Sequence, residues 1–332
     1  MNSCIDIHTH VVPENFPAYV GHVAGAAWPS TTAAHACHRH VMLSGKVYRT
    51  IPDTCWSSEK RIEGMDHQRV QRHVLSPMPE LLSYWLEPED GQALSRYLNE
   101  QIAGMVSSAP TRFTGLAAVP LQDVDMAIRE LEFAVVTLGL AGVEIGTNIN
   151  GVPLGDARFA PFFSAAENLG AAIFVHPLRP AGMDRLVGPA NLEQIIAFPG
   201  ETGLAAASLL TGGILTRNPG LRIALSHGGG TLVSLLPRLQ HGWETFPELS
   251  GVMPESPVVA AKRMYYDSLV YDGRALAHLI DSFGATQICV GSDFPFKISD
   301  KHPVERVEAL GLDGATCALL LAGNAKRWLD LQ

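Results

Sequence analysis

Basic residues are scarce in this chain: 24 Lys and Arg stand against 33 Asp and Glu in 332 residues, a formal charge of -9. Binding nucleic acid or an anionic membrane surface takes clustered cations, so neither partner is expected. An acidic protein that acts on an anion must instead place single arginines at its site. Long apolar runs are missing too, and none reaches the ~20 residues that span a bilayer. Cysteine is sparse, odd in number and widely spaced (Cys4, Cys37, Cys55, Cys289, Cys317). Those five read as reduced thiols, not as a disulfide framework. No leader precedes the first strand-like run, so a cytoplasmic location is the expectation. Internal repeats and low-complexity tracts are absent.

What is present is ordinary for a globular enzyme: 47% hydrophobic residues, 31 Gly and 22 Pro. The length suits one large α/β domain or two smaller ones. After a first strand ending at His10 comes a weakly periodic stretch, about 11–56, with Pro13, Pro17 and Pro29, read as an insertion. From there strands and helices alternate. Strands are expected at 70–76, 113–119, 142–145, 171–175, 221–226, 263–268 and 287–291. Helices are expected at 58–67, 90–107, 123–138, 157–169, 201–215, 231–242, 273–283 and through 304–331. Eight strands alternating with helices is the pattern of a (β/α)8 barrel, a single domain over 1–332 with a small insertion after the first strand. A doubly wound sheet is the rival, usually with fewer strands.

Barrels of this kind carry their sites at the C-terminal ends of the strands. The first strand, Cys4-Ile-Asp-Ile-His8-Thr-His10, ends in two histidines whose i, i+2 spacing puts them on one face. The fifth ends in Val175-His176-Pro177, the sixth in Ser226-His227-Gly-Gly-Gly230 and the eighth in Gly291-Ser-Asp293. Any one of these is commonly a hydrogen-bonded loop residue or a cap. Four strand ends of eight supplying such residues point to a metal site. Imidazoles plus one carboxylate suit zinc with an open position for water. His8, His10, His176 and Asp293 are the expected ligands, and His227 the expected acid/base beside a metal-bound water; a five-ligand cage including His227 is the alternative. The glycine run 228–230 allows close backbone approach to a ligand but lacks the Lys-Ser/Thr ending of a phosphate loop. The patch His35-Ala-Cys37-His38-Arg-His40 lacks a second ligand pair at zinc spacing, and a polar hairpin tip explains it better.

Together, His8-Thr-His10, His176-Pro177, His227-Gly-Gly-Gly and Gly291-Ser-Asp293-Phe-Pro-Phe296 resemble the amidohydrolase superfamily, in its aminocarboxymuconate-semialdehyde decarboxylase branch. Arg61-Ile-Glu-Gly-Met-Asp66, Val119-Pro-Leu-Gln122 and Pro199-Gly-Glu-Thr202 extend the resemblance along the whole chain. It implies a non-hydrolytic decarboxylase with zinc (manganese being the other candidate) on those four ligands, His227 as acid/base, and a homodimer. It further implies that Arg49 and Arg238 bind substrate carboxylates, Arg238 across the dimer interface. Arginine is the side chain suited to bidentate carboxylate binding. The chain departs from the family at the pocket. Leu178 replaces a tryptophan, Arg179 is an added cation, and Glu144 replaces an amide; Glu144 is read as an arginine's partner, an orienter of a ligand histidine or a substrate contact.

The expected reaction is decarboxylation of a small unsaturated or aromatic acid such as 2-amino-3-carboxymuconate 6-semialdehyde. Hydrolysis or hydration of a lactone or ring-cleavage product by the same metal cage is the alternative, and a metal-stabilised binding protein is the third reading.

Overall fold

The continuous apolar runs become strands buried on both faces, as a parallel sheet wrapped in helices requires. In the computed structural model, which describes residues 3–331, the strands are β1 (Ile5–Val11), β2 (Arg72–Pro77), β3 (Phe113–Ala117) and β4 (Gly142–Gly146), then β5 (Ala172–His176), β6 (Arg222–Leu225), β7 (Tyr265–Asp267) and β8 (Ile288–Cys289). They lie in sequence order, every neighbour parallel. Bridges from Asp6 to Val290 and from Thr9 to Phe294 close the ring, and Ile7 N donates to Val290 O at 2.8 Å. The expected (β/α)8 barrel is what forms. Helices start where side-chain caps stand: Ser57 accepts from Lys60 N, Asp123 from Met126 N, and Asp272 from Arg274 N and Ala275 N. No helix among the described residues is long and apolar enough to cross a membrane.

Strict alternation along β1 would put Ile5 and Ile7 opposite His8 and His10. The structure puts all four on the interior side. One extra residue on β1, between the pairs Asp6–His73 and Thr9–Leu75, forms a bulge that resets the alternation. Asp6 supports it, accepting from His8 N at 3.0 Å and from Ser292 N at 3.1 Å. Below the bulge, Ile5 and Ile7 join Val74, Leu116, Ala172, Phe174, Ala224 and Cys289 inside the barrel. Trp328, from the helix Asn324–Leu329, plugs the lower end; its ring centre is 6.2 Å from that of Phe174. Above, Phe174 meets His8 at 5.1 Å, so the apolar layers form the floor of the site.

The insertion is more ordered than its weak periodicity predicts. Ser30–His35, His38–Leu43 and Lys46–Pro52 make an antiparallel three-stranded sheet, anchored by the buried Val41 and Ile51. The five cysteines are free.

Trp328→Ala empties the lower end of the barrel, and loss of so large a buried side chain costs about 3–5 kcal/mol. Urea unfolding monitored by circular dichroism checks this; a loss below about 1 kcal/mol would mean that the plug is dispensable.

Candidate active site

The bulge delivers His8 and His10 to the rim, β5 adds His176, and the turn after β8 adds Asp293. Asp293 adopts φ 63° and its N–H donates to His8 O at 2.8 Å, which ties the carboxylate to β1. His8 Nε2 and His10 Nε2 lie 3.1 Å apart, and Asp293 Oδ1 is 3.6 Å and 3.2 Å from them. The ring of His176 is centred 5.1 Å from that of His8 and 4.9 Å from that of His10. One ligand atom from each of the four, all buried, falls within 4.8 Å of the others. Among the described residues no other group of three or more such side chains converges; His35 and His38 stack at 4.1 Å without a third ligand.

Each histidine is held by its other nitrogen. His10 Nδ1 faces Pro77 O at 3.1 Å and His176 Nδ1 faces Pro177 O at 2.9 Å, carbonyls that only accept. Both rings are thus protonated at Nδ1 and turn an Nε2 lone pair inward. His8 Nδ1 donates to Asp267 Oδ2 at 2.6 Å. Burial works against a charge on His8, but Asp267 and then Asp293 outweigh it and raise the ring to about 9. Burial lowers His10 and His176. Burial also opposes ionisation of Asp293, yet His10 and His8 hold its carboxyl below the ordinary value. Three inward nitrogens and one ionised carboxylate in a dry site fit a divalent cation, which would displace the proton on His8.

His227 stands beside this group, its ring centred 5.2 Å from His8 and 5.3 Å from His176. It sits at φ 54° two residues beyond β6, with its N–H on Asp267 Oδ2 at 2.9 Å. Burial, then the neighbouring His8, lowers it to about 4, so the ring is neutral near pH 7. The glycines that follow press on protein, and Gly230 also borders the cavity: a side chain at Gly230 would meet Pro199 O at 2.0 Å, and one at Gly229 the Tyr266 ring at 2.7 Å. Their role is to let the β6 turn press against β7 and against the start of the helix Phe198–Thr211, which precedes β6.

A cavity of about 310 Å³ opens above, lined in part by Arg49, His176, Leu178, Arg179, His227 and Asp293. The insertion strand Lys46–Pro52 carries Arg49 there, its guanidinium 4.2 Å above the Phe296 ring. Arg238 does not line this cavity; it lies exposed on the helix Leu232–Thr245. Glu144 does not line it either. It is fully buried, its carboxyl oxygens have no hydrogen-bond partner among the described residues, and Oε2 lies 3.7 Å from His10 Nδ1. Of the three readings of Glu144, this position answers to the one behind a ligand histidine. Burial pushes its carboxyl up to about 8.

Two supports escape the sequence. Asp267 ends β7 after Tyr265-Tyr266, the same pattern of apolar run then polar residue that marks the other strand ends, and only the absence of a histidine hides it. Arg61, buried in the helix Ser58–His67, donates to His10 O, to Thr54 O at 3.1 Å and to Thr9 Oγ1 at 3.3 Å, pinning the end of β1.

A family model described as amidohydrolase matches residues 5–331. The chain belongs to the amidohydrolase family. Among its amidohydrolase relatives, the 2-amino-3-carboxymuconate-6-semialdehyde decarboxylase of Dictyostelium discoideum is 36% identical over 330 residues, 98% of this chain and 91% of the relative. The gamma-resorcylate decarboxylase of Rhodococcus jostii is 27% identical over 80% of this chain and 88% of its own. The crystal structure of 5-carboxyvanillate decarboxylase from Sphingomonas paucimobilis superposes with a TM-score of 0.76 at 27% identity, covering 82% of this chain and 83% of that one. The resemblance carried by the strand-end motifs is thereby confirmed at the level of the family.

Asp267→Asn keeps the shape but weakens the hold on His8, and outer carboxylates of this kind typically contribute 10–100-fold in metal affinity. Competition with a fluorescent chelator measures it, with circular dichroism confirming the fold. Unchanged affinity would show that the His8 orientation is fixed without Asp267.

Proposed function

We propose that this amidohydrolase is a metal-dependent, non-hydrolytic decarboxylase of a small unsaturated or aromatic carboxylic acid. The observation that carries the reading is His227, its ring centred 5.2 Å from that of His8 and 5.3 Å from that of His176, beside four convergent donors at the floor of a cavity whose wall holds Arg49. The curated relatives above, one of them similar along nearly the whole chain, are decarboxylases. They favour this reading over the hydrolytic alternative. 2-Amino-3-carboxymuconate 6-semialdehyde, the acid named for the Dictyostelium relative, is the first substrate to try.

In this reading His8, His10, His176 and Asp293 hold the cation, zinc by the chemistry of its donors, with manganese the alternative. When bound, such an ion supplies a Lewis acid that offsets negative charge developing on the substrate. Arg49 holds a carboxylate through charge-assisted N–H bonds. The bond to the departing carboxyl breaks, its electron pair stays on carbon, and His227 relays the proton that replaces CO₂. Arg238, exposed and outside its own cavity, reaches the partner's cavity in a homodimer. Exposed Leu235 on the same helix and Leu204 on the helix Phe198–Thr211 offer an apolar surface for that contact. The five free cysteines agree with a reducing, cytoplasmic setting.

Substrate loss and CO₂ release are followed together on metal-loaded protein, then after chelation. Both signals are expected with metal and neither without it; CO₂ release that survives complete metal removal would overturn the reading. His227→Ala is expected to retain the metal and lose about 10²–10⁴-fold in turnover. Loss of the metal as well would make His227 a ligand.

For the shared site, Arg238→Ala protein mixed with Asp293→Ala protein should regain activity through hybrid dimers that carry one intact cavity. No recovery, with subunit exchange demonstrated, would confine the site to a single chain.

A further inference from the structure

The decarboxylase reading leaves one cation of the cavity without a task. Arg179 lies three residues beyond β5, at φ 46°, a region that sterics make uncommon for a residue with a Cβ. Its guanidinium carbon is 3.3 Å from the centre of the Trp85 ring. Among the described residues its nearest carboxylate oxygen, Glu80 Oε1, is 3.7 Å away, too far for a hydrogen bond. Arg49 takes the same posture over Phe296 and has no carboxylate partner among the described residues. Stacking uses the face of a guanidinium and leaves its in-plane N–H groups to an acceptor. Two flat arginines thus border one small cavity, and Leu178, Phe198 and Phe296 give it apolar walls.

We propose that Arg179 is a specificity-determining residue that receives a second carboxylate of the substrate, beside Arg238 of the partner subunit, while Arg49 and the donor cluster take the carboxylate that leaves. The inference rests on the decarboxylase reading and narrows its substrates to small planar dicarboxylic acids. The alternative, that Arg179 only neutralises Glu80 in the same cavity wall, also weakens the hold on the diacid when Arg179 is removed, because the bared carboxylate repels a second negative charge; it differs in forecasting that Glu80→Gln added to Arg179→Gln restores the preference.

The test is calorimetric titration of the metal-loaded protein with benzoate and with isophthalate, which differ by one carboxylate on the same ring. Wild-type protein should bind isophthalate at least about tenfold more tightly, the scale of one charge-assisted contact. Arg179→Gln should cut that preference to about twofold, and Arg179→Lys, which keeps charge without the planar fork, should restore part of it. The side chain is 54% exposed, so the fold should tolerate either change. A wild type without preference, a preference untouched by Arg179→Gln, or a preference restored when Glu80→Gln is added to Arg179→Gln overturns the proposal. CO₂ release separates the two levels of inference. A preference that depends on Arg179, with no acid decarboxylated, refutes the reaction and keeps the anion site. Decarboxylation without the preference removes the site alone.

Discussion

The hydrogen bond between His8 Nδ1 and Asp267, at 2.6 Å between two fully buried side chains, is the contact on which the rest of the site depends. Asp267 also accepts from the N–H groups of His227 at 2.9 Å, Gly228 at 2.8 Å and Leu269 at 3.0 Å. Burial disfavours its charge, yet the His8 bond and these donors keep the carboxyl ionised below its ordinary value. One carboxylate thereby fixes the tautomer of a ligand histidine, the strained turn that presents His227, and the start of the loop after β7. A buried charge of this kind is tolerable only when every lone pair is used. The same requirement makes the group rigid, because moving His8 or the His227 turn would leave part of Asp267 unsatisfied.

Backbone geometry does as much as side-chain chemistry. The bulge in β1 lets apolar residues below and imidazoles above occupy the same interior side, so core and site share one strand without a gap. Its supports are distant in sequence: Asp6 reaches Ser292, and Arg61 reaches the carbonyl of His10. Bulges beside active sites re-aim side chains in this way. Here the device converts a floor of Ile7 and Phe174 into a metal-type cluster within a single residue step.

These differences explain what could be read from the chain. The barrel and its four convergent donors are legible because each strand is a local apolar run and each donor lies at or just beyond the end of one. Asp267 follows the same rule, but an aspartate after two tyrosines has no signature of its own, and its importance comes from a histidine 259 positions away. The bulge was illegible because barrel closure between β8 and β1, a non-local event, sets it. The insertion sheet was missed for another reason: Ser30–His35 and Lys46–Pro52 are mostly exposed on both faces, so no apolar alternation marks them. Arg61 looks like any surface residue of a helix until the packing is known.

The division of labour in the molecule follows from these constraints. The four donors and His227 sit on strand ends and tight turns, where over-determined hydrogen bonding fixes their positions. The arginines come from less constrained places: Arg49 from an inserted sheet, Arg179 from the loop after β5, Arg238 from an outer helix. Loops and insertions can change while the barrel stays intact. Leu178 is itself tied down, its N–H on Thr147 Oγ1 at 3.2 Å and its carbonyl accepting from Asn148 Nδ2 at 2.9 Å. Arg179, immediately beyond, is free of such bonds and rests on an aromatic face. Electrostatics allows that looseness, because a guanidinium needs only to lie within reach of a carboxylate, whereas a proton relay and a metal cage fail with displacements of about an ångström. Substrate choice can therefore drift on this scaffold without disturbing the chemistry beneath it.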